Sequence, residues 1–374
     1  MKKPYLIAEL SCNHEGDLHE MFELIDIAKS LKIDCVKIQS YTSDTISSDT
    51  KFKNNTMWGN MAIKKLYKMA HTPRDWHNNI VEYCKKIKID LFTTVYSEND
   101  LLFTKKFNFS KYKIASFELS DLNLIKETTK VSKNIMISNG MSYFEEVENA
   151  INIIRSNKAR PTLLHCNSGY PANFAELDLQ TIPFIKKYFN CTIGFSDHTL
   201  FENVNSLKNL EPFIAPLSSV YMGAEVIEFH LIKNRSKSKK LFEQKKGGFD
   251  WAFSKEPKEI EYLIKAIDEF SYKNFLRDLS KKHLKIFKKM KGSVKLKPSN
   301  RELETRKFQP SLWITKNIKA GDKFKFGYGK NKNFDSLRPN DGLPLKFYKY
   351  VNGKKSLKDL KTGHPLSWED IKIN

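Results

Sequence analysis

Eight short apolar segments recur along the first part of the chain. Most are rich in β-branched residues, and they form continuous apolar runs rather than alternating ones. Such runs are typical of parallel strands that are covered on both faces. The segments span residues 5–10, 35–40, 91–96, 112–117, 134–139, 162–167, 191–196 and 226–231.

Helix signals lie between these segments. Residues 19–31 place apolar side chains on one stripe, and 259–270 predict a helix after the last strand. Thr72 and Pro73 predict an N-cap followed by proline at the first helical position. Ser142 and Glu145 have the spacing of a capping box. Strands that alternate with helices predict a (β/α)₈ TIM barrel over residues 1–271.

An open, doubly wound sheet is the alternative fold, but no GxGxxG motif follows the first strand. The Lys-rich residues 272–308 read as a linker with some helix. Residues 309–374 carry short strand signals and several Gly or Pro turns, which predict a small β-rich domain. A unit of this size is marginal on its own, so we expect it to dock on the barrel or on a partner subunit.

The chain has 374 residues, of which 40% are hydrophobic, and this excludes global disorder. Its net charge of +21 would attract polyanions, including nucleic acid. The lysines are spread along the chain, however, and no basic module with interleaved aromatics is present. We therefore expect no nucleic-acid partner. The charge equally suits a site for phosphate and carboxylate substrates.

The five cysteines form no CxxC pair, which favours a reducing compartment. No apolar run approaches the length of a membrane span, and the first residues lack a secretory signal. These features predict a cytoplasmic protein without a membrane partner.

Polar side chains end nearly every predicted strand, and a barrel carries its chemistry at these strand ends. Buried polar groups without partners would be costly, so a functional mouth explains them better than chance. Cations and small donors suited to phosphate and carboxylate oxygens are Lys37, Thr94, Lys113, Ser116, Ser138 and Ser196. Glu9 and Glu118 are candidates for proton transfer. His198 and His230 could bind one divalent cation, although two histidines alone fit hydrogen-bonding roles as well.

The motifs together resemble the N-acetylneuraminate synthase family. The resemblance runs in order along almost the whole chain. It is carried by IAE at 7–9, NHEGD at 13–17, VKIQ at 36–39, YKI at 112–114, SNGM at 138–141, GFSDHT at 194–199 and GAEVIEFH at 223–230. The last domain resembles the antifreeze-like (SAF) domain of that family, from SLRP at 336–339 onwards.

This resemblance implies a synthase that joins phosphoenolpyruvate (PEP) to the open-chain aldehyde of an N-acetylated amino sugar. Residues matching His198 and His230 would hold Mn²⁺, Mg²⁺ or Co²⁺. The residues that would hold PEP are Lys37, Thr94, Lys113, Ser116, Ser138, Ser168 and Ser196. Gln39, Tyr170 and Asp250 would face the sugar, and Glu9 would be an acid/base group. The resemblance also implies a domain-swapped homodimer.

The stretch Ala115-Ser116-Phe117-Glu118 resembles the pseudaminic acid synthases of the family. Phe117 would make the sugar pocket less polar, as suits 2,4-diacetamido-2,4,6-trideoxy-altrose with its methyl group. Alternatives are an N-acetylneuraminate or legionaminic acid synthase. Two hypotheses from other functional classes are a catalytically degenerate sugar-binding protein and a polyanion-binding protein.

Two departures from the family pattern bear on this prediction. Gln309-Pro310 stands where the resemblance implies an arginine that reaches the partner's sugar site, so that contact should be missing or replaced. Residues 236–246 and 206–213 look like insertions, the first of them beside the substrate loop.

Overall fold

The computed structural model describes residues 3–49, 61–200, 211–269, 271–326 and 331–373. Its larger part is a closed barrel of eight parallel strands in sequential order, which confirms the predicted TIM-barrel fold. The strands are β1 (Tyr5–Glu9), β2 (Cys35–Ser40), β3 (Asp90–Val95), β4 (Tyr112–Ile114), β5 (Asn134–Ser138), β6 (Arg160–Cys166), β7 (Thr192–Asp197) and β8 (Val226–His230).

Helices connect the strands and cover the barrel. They are α1 (Leu18–Ser30), α2 (Ser43–Ile46), α3 (Ile63–Ala70), α4 (Trp76–Ile87), α5 (Glu98–Thr104), α6 (Leu122–Val131), α7 (Phe144–Ser156), α8 (Thr181–Phe189), α9 (Glu211–Tyr221), α10 (Arg235–Glu243) and α11 (Pro257–Asp268). The main apolar core lies between them and the outer face of the strands. None of the helices in the described residues has the length and apolar composition needed to cross a membrane.

Two predicted helix starts are wrong. Helix α4 begins at Trp76 after Asp75, because the backbone first makes a tight turn in which Trp76 N–H donates to Pro73 O. Helix α7 begins one residue later than predicted. The Ser142 hydroxyl donates to Gly140 O, and the Glu146 carboxylate instead accepts from the backbone N–H of Tyr143.

The fourth strand is also shorter than predicted. It ends at Ile114, and Ser116–Glu118 form a 3₁₀ turn in which Glu118 N–H donates to Ala115 O. This turn carries Ser116 and Phe117 over the barrel mouth.

The strand register brings the predicted polar residues side by side. Glu9 on β1 pairs with Lys37 on β2 and with His230 on β8. Thr94 on β3 pairs with Lys113 on β4 in the same way. Beneath this polar level, an apolar layer closes the barrel interior; it consists of Ile7, Cys35, Phe92, Met136, Leu164 and Val226. The mouth of the barrel is therefore its polar, carboxyl-terminal end.

Residues 272–308, predicted as a linker, contain three helices: α12 (Phe275–Asp278), α13 (Lys281–Lys291) and α14 (Asn300–Arg306). Phe275, Phe287 and Met290 are buried in the main apolar core of the barrel. The segment therefore packs along the barrel and does not merely connect it to the next unit.

The C-terminal module has its own small apolar core, which spans Leu312 to Ile371. It contains two antiparallel pairs of short strands and one helical turn: β9 (Ser311–Ile314), β10 (Phe334–Leu337), α15 (Tyr348–Val351), β11 (Lys355–Ser356) and β12 (Ile371–Lys372). The assignment of residues 309–374 as an antifreeze-like (SAF) domain stays a prediction.

The module docks on the barrel of its own chain. Arg338 N–H donates to Ile46 O over 2.9 Å, and Ser48 N–H donates to Arg338 O over 2.9 Å. The backbone of residue 338 is thus held against the loop that follows β2. The domain-swapped homodimer stays a prediction.

The five cysteines, all within the described residues, form no disulfide. Most of residues 206–213, expected to be an insertion, lie outside the described part of the chain. Residues 236–246 largely form α10, where the Ser238 hydroxyl donates to Glu15. Gly248 N–H donates to the other oxygen of the Glu15 carboxylate over 3.0 Å, which ties this segment to the loop after β1.

Candidate active site

A cavity opens at the carboxyl-terminal end of the barrel and collects nearly all the predicted site residues. Those that line it are Glu9, Lys37, Gln39, Thr94, Lys113, Ser116, Phe117, Ser138, Tyr170, Ser196, His198, His230 and Asp250. The two exceptions, Glu118 and Ser168, are buried just behind its wall. The cavity is therefore shared by strand ends and by the loops that follow them.

Four buried charges form the bottom of the cavity, here called the charged floor: Glu9, Lys37, Lys113 and Glu228. The Lys37 ammonium contacts the Glu9 carboxylate and lies 3.6 Å from Glu228. Lys113 contacts the other oxygen of Glu228, which also accepts a 2.8 Å bond from the Ser196 hydroxyl. The two cations and two anions neutralise one another, which makes their burial tolerable.

The charged floor keeps its carboxylates ionised. Burial alone would raise the pKa of Glu228, but Lys113 and Lys37 outweigh burial and lower that pKa. Lys37 likewise lowers the pKa of Glu9 against the effect of burial. Burial would lower the pKa of Lys37, but Glu228 and Glu9 raise it. Burial and the nearby Lys37 charge together lower the pKa of Lys113, although Glu228 opposes them.

Hydroxyl groups and one peptide N–H lie next to these lysines. Ser116, Ser138 and Ser168 are called the seryl cradle. Gly140 N–H donates to the Ser116 hydroxyl over 3.1 Å. A Cβ atom at Gly140 would lie 2.0 Å from Ser168 Oγ and 2.8 Å from Ser116 Oγ. Only glycine fits there, so the cradle depends on a close approach between two loops.

The two histidines have their rings 5.5 Å apart. Nδ1 of His198 lies 3.2 Å from the carbonyl oxygen of Asn167. Because a carbonyl oxygen can only accept a hydrogen bond, Nδ1 carries the proton, and Nε2 is left unprotonated with a free lone pair. Burial and the neighbouring His230 lower the pKa of His198, so its imidazole is neutral. Nδ1 of His230 lies 3.0 Å from the Asp250 carboxylate.

This donor set fits a divalent cation. Metal-binding histidines usually donate their second ring N–H to a carbonyl or a carboxylate, as His198 donates to Asn167 O here. No group of three or more His, Cys, Asp or Glu side chains with the geometry of a metal site occurs in the part of the chain that the structure describes. Protein ligands would thus be few, and sites on the ion would stay open for substrate or water.

A buried ion pair supports the turn that carries His198. Asp197 accepts from Thr199 N–H over 3.0 Å and from the Thr199 hydroxyl over 2.8 Å. Its second carboxylate oxygen lies 2.6 Å from the Lys255 ammonium, and both side chains are fully buried. The loops after β7 and β8 are thereby joined behind the histidines.

Aromatic rings and one guanidinium line the opposite side of the cavity, here called the aromatic wall: Tyr67, Phe117, Tyr170 and Arg338. The Phe117 and Tyr170 rings are nearly parallel with centroids 6.2 Å apart. Arg338 Cζ lies 4.3 Å from the Phe117 centroid, and its Nη1 donates to the Tyr67 hydroxyl over 2.5 Å. This wall can pack against methyl and methine groups and still offer hydrogen bonds.

Glu118 forms an ion pair with the Arg338 guanidinium behind the wall. Burial raises the pKa of Glu118 to about 7, although Arg338 acts in the opposite direction. The carboxyl group behind the wall thus has a raised pKa, whereas Glu9 and Glu228 in the charged floor have lowered pKa values.

Two further residues line the cavity without a role predicted from the sequence. Glu228 lies in the GAEVIEFH motif, but nothing in that motif shows that it joins two lysines. Arg338 belongs to the Arg-Pro pair of the C-terminal module, 220 positions after its partner Glu118. Arg338 thus brings a guanidinium of the C-terminal module to the cavity of its own chain. The missing or replaced partner contact at Gln309-Pro310 stays a prediction.

Known proteins resemble this chain in sequence and in fold. Residues 24–274 match the model of the NeuB family. The chain is 32% identical to pseudaminic acid synthase of Campylobacter jejuni, over 99% of this chain and 97% of that protein. It is 28% identical to N,N'-diacetyllegionaminic acid synthase of the same species, over 96% and 98%. The crystal structure of the spore coat polysaccharide biosynthesis protein SpsE of Bacillus subtilis superposes with a TM-score of 0.77 at 25% identity, covering 99% of this chain and 96% of that one.

Proposed function

The chain belongs to the NeuB family, and we propose that it condenses PEP with an N-acetylated amino sugar to give a nonulosonic acid and phosphate. The preferred sugar in this proposal is 2,4-diacetamido-2,4,6-trideoxy-altrose, which makes the protein a pseudaminic acid synthase. The observation that carries the proposal is the charged floor with its seryl cradle, which lies beside two imidazoles in one cavity.

The charged floor and the seryl cradle would hold PEP. Lys37 and Lys113 supply two cations that are buried and already ordered by Glu9 and Glu228. Ser116 and Ser138 line the same cavity and can donate to phosphate oxygens. Charge-assisted hydrogen bonds of this kind are strong in a site from which water is excluded.

His198 and His230 would hold the divalent cation. When bound, such an ion acts as a Lewis acid that polarises the aldehyde oxygen of the open-chain sugar. His198 is suited to this role because its Nε2 carries a lone pair while Nδ1 is held by Asn167 O.

The reaction requires one new carbon–carbon bond and the loss of phosphate. C3 of PEP bonds to the aldehyde carbon, water adds at C2, and phosphate leaves by cleavage of the C2–O bond. Lys37 and Lys113 would orient PEP and balance its charge. Glu9 lies next to Lys37 as a carboxylate and is the candidate to accept a proton from the attacking water.

The sugar would lie against the aromatic wall. Gln39, Tyr170 and Asp250 line this part of the cavity and can bond to hydroxyl and acetamido groups. Phe117 offers an apolar face where a hydroxylated C6 would find no partner, so it favours a 6-deoxy sugar. The relatives do not decide this point, because those named for two different sugars have similar identities to this chain. N-acetylneuraminate and legionaminic acid synthase activities are therefore the alternatives.

Phosphate release from PEP tests the proposal when it is measured with a panel of N-acyl sugars. We expect the highest kcat/KM with the 2,4-diacetamido-trideoxy-altrose and loss of activity with EDTA, restored by Mn²⁺, Mg²⁺ or Co²⁺. Activity on N-acetylmannosamine but not on the altrose derivative would contradict the sugar assignment. Activity unchanged by EDTA would contradict the metal role, and no release with any sugar would favour a degenerate sugar-binding protein.

A further inference from the structure

A fully buried carboxylate from the connecting segment lies behind the seryl cradle. Glu302, on α14, accepts a 2.8 Å bond from Met141 N–H and a 3.0 Å bond from Ser168 N–H on the same oxygen. The Lys295 ammonium lies 2.6 Å from that oxygen. The second oxygen accepts from Ser299 N–H over 3.0 Å. With four donors, the charge of Glu302 is well compensated despite its burial.

The two peptide groups that Glu302 binds belong to different loops. Met141 follows Ser138 and Gly140 after β5, and Ser168 is itself part of the loop after β6. Met141 adopts a φ of +51°, a left-handed conformation that is costly for a non-glycine residue. A hydrogen bond from its N–H to a carboxylate helps to hold this conformation.

The surrounding contacts restrain the same two loops. Lys295 also donates to Cys166 O over 3.2 Å. Arg306, one turn further along α14, donates to Met141 O over 2.7 Å and pairs with Glu146 on α7. The spacing between the loops is tight, since Gly140 leaves no room for a Cβ atom beside Ser168. A displacement of either loop would therefore disturb the cradle.

We infer that Glu302 is a positioning residue that sets the spacing of the seryl cradle and hence the affinity for PEP. It touches neither the cavity nor the substrate, and it acts through the N–H groups of Met141 and Ser168. This inference rests on the proposed function, because it takes the seryl cradle as the site for PEP. It also assigns a role in substrate binding to the segment between the barrel and the C-terminal module.

The variant Glu302→Gln tests this role because it keeps the size of the side chain but removes its charge. The –NH₂ group of the glutamine would also face another donor, either Ser299 N–H or the N–H groups of Met141 and Ser168, and would lose that hydrogen bond. We expect the KM for PEP to rise roughly 10- to 100-fold, as for the loss of one or two charge-assisted hydrogen bonds. The KM for the sugar should change by less than about threefold, because the aromatic wall is untouched.

Glu304→Gln is the matched control. It removes an exposed ion pair between α14 and Lys307 but no bond to the loop N–H groups. Both KM values should stay within about twofold of wild type. Equal effects of Glu302→Gln and Glu304→Gln, or a parallel rise of both KM values, would overturn the positioning role.

Amide hydrogen exchange of the wild-type protein provides a readout that does not depend on the folding of a variant. We expect slow exchange at Met141 and Ser168 without substrates, and rapid exchange there would overturn the inference. A wild-type protein that turns over no PEP would overturn the proposed function. In that case slow exchange would still support the tie between Glu302 and the two loops.

Discussion

The charged floor and the aromatic wall face the same cavity but are built in different ways. The floor consists of side chains from barrel strands, and the register places Glu9 beside Lys37 directly. The wall combines a loop, a helix and a separate module, so that Arg338 meets Tyr67 across 271 positions of the chain. The floor is internally neutral and lies on hydrogen-bonded strands, whereas the wall is assembled from loops, a helix and a separate module. In the proposed function, the floor binds PEP and the wall selects the sugar.

The pKa values of the carboxyl groups also shift in opposite directions in the two regions. Paired cations lower the pKa of Glu9 and of Glu228 in the floor. Burial outweighs the guanidinium in the wall and raises the pKa of Glu118 to about 7. The pKa of the same type of side chain is thus lowered where cations dominate and raised where burial dominates.

The largest expected effect comes from Lys37→Met in the charged floor. The change leaves Glu9 without its ion-pair partner and Glu228 with one cation instead of two. Breaking a buried pair in this way should lower the free energy of unfolding by about 3–5 kcal/mol. The rate of phosphate release should fall roughly 10²- to 10³-fold, as for the loss of an electrostatic donor. Urea unfolding and a phosphate-release assay measure the two effects.

Lys85→Met serves as the control for this variant, since Lys85 forms an exposed pair with Glu82. Its effect on the free energy of unfolding should stay below about 1 kcal/mol. If Lys37→Met were no more destabilising than the control, the buried pairs of the charged floor would contribute no more to stability than an exposed pair.

A smaller effect is expected from the pH dependence of Glu118. A carboxyl whose folded pKa is raised from 4.5 to about 7 binds its proton more tightly in the folded state. Its contribution to stability is complete below the unfolded pKa of 4.5 and is lost as the pH rises through about 7. The loss amounts to roughly 3 kcal/mol across this window.

Urea unfolding of wild type and of Glu118→Gln between pH 4.5 and 8 checks this sign. The difference in unfolding free energy between the two proteins should change with pH, and the variant should lack this part of the decline. A difference that is constant with pH would show that Glu118 remains ionised and that the contrast between floor and wall is wrong.

The smallest effect is expected at Phe117 in the aromatic wall. Phe117→Ala removes the ring that stacks on Tyr170 and contacts Arg338. The preference for a 6-deoxy sugar over a 6-hydroxy sugar, as a ratio of kcat/KM values, should fall roughly tenfold. The KM for PEP should change by no more than about twofold.

Phe347→Ala is a suitable comparison, because Phe347 packs against Trp368 on the C-terminal module. It should leave the sugar preference unchanged. A rise in the KM for PEP with Phe117→Ala, at unchanged sugar preference, would place PEP against the wall instead.

The barrel and most of the charged floor follow from the pattern of apolar and polar residues. The continuous apolar runs end in polar residues, and in a barrel such strand ends meet at one mouth, so Lys37, Lys113 and His230 could be placed from the pattern. The resemblance then supplied roles for residues such as Tyr170 and Asp250. The predicted helix starts were wrong where a nearby backbone group binds the side chain expected to cap the helix. The Ser142 hydroxyl, for example, donates to Gly140 O instead of capping α7.

The tertiary structure alone decided how these residues are paired. That Glu228 joins both lysines follows from the closure of the barrel, which no local pattern encodes. Arg338 enters the cavity and Glu302 supports the seryl cradle because separate segments fold back onto the barrel mouth. Contacts of this kind depend on the three-dimensional path of the chain, whereas periodicity reports only which face of an element is buried.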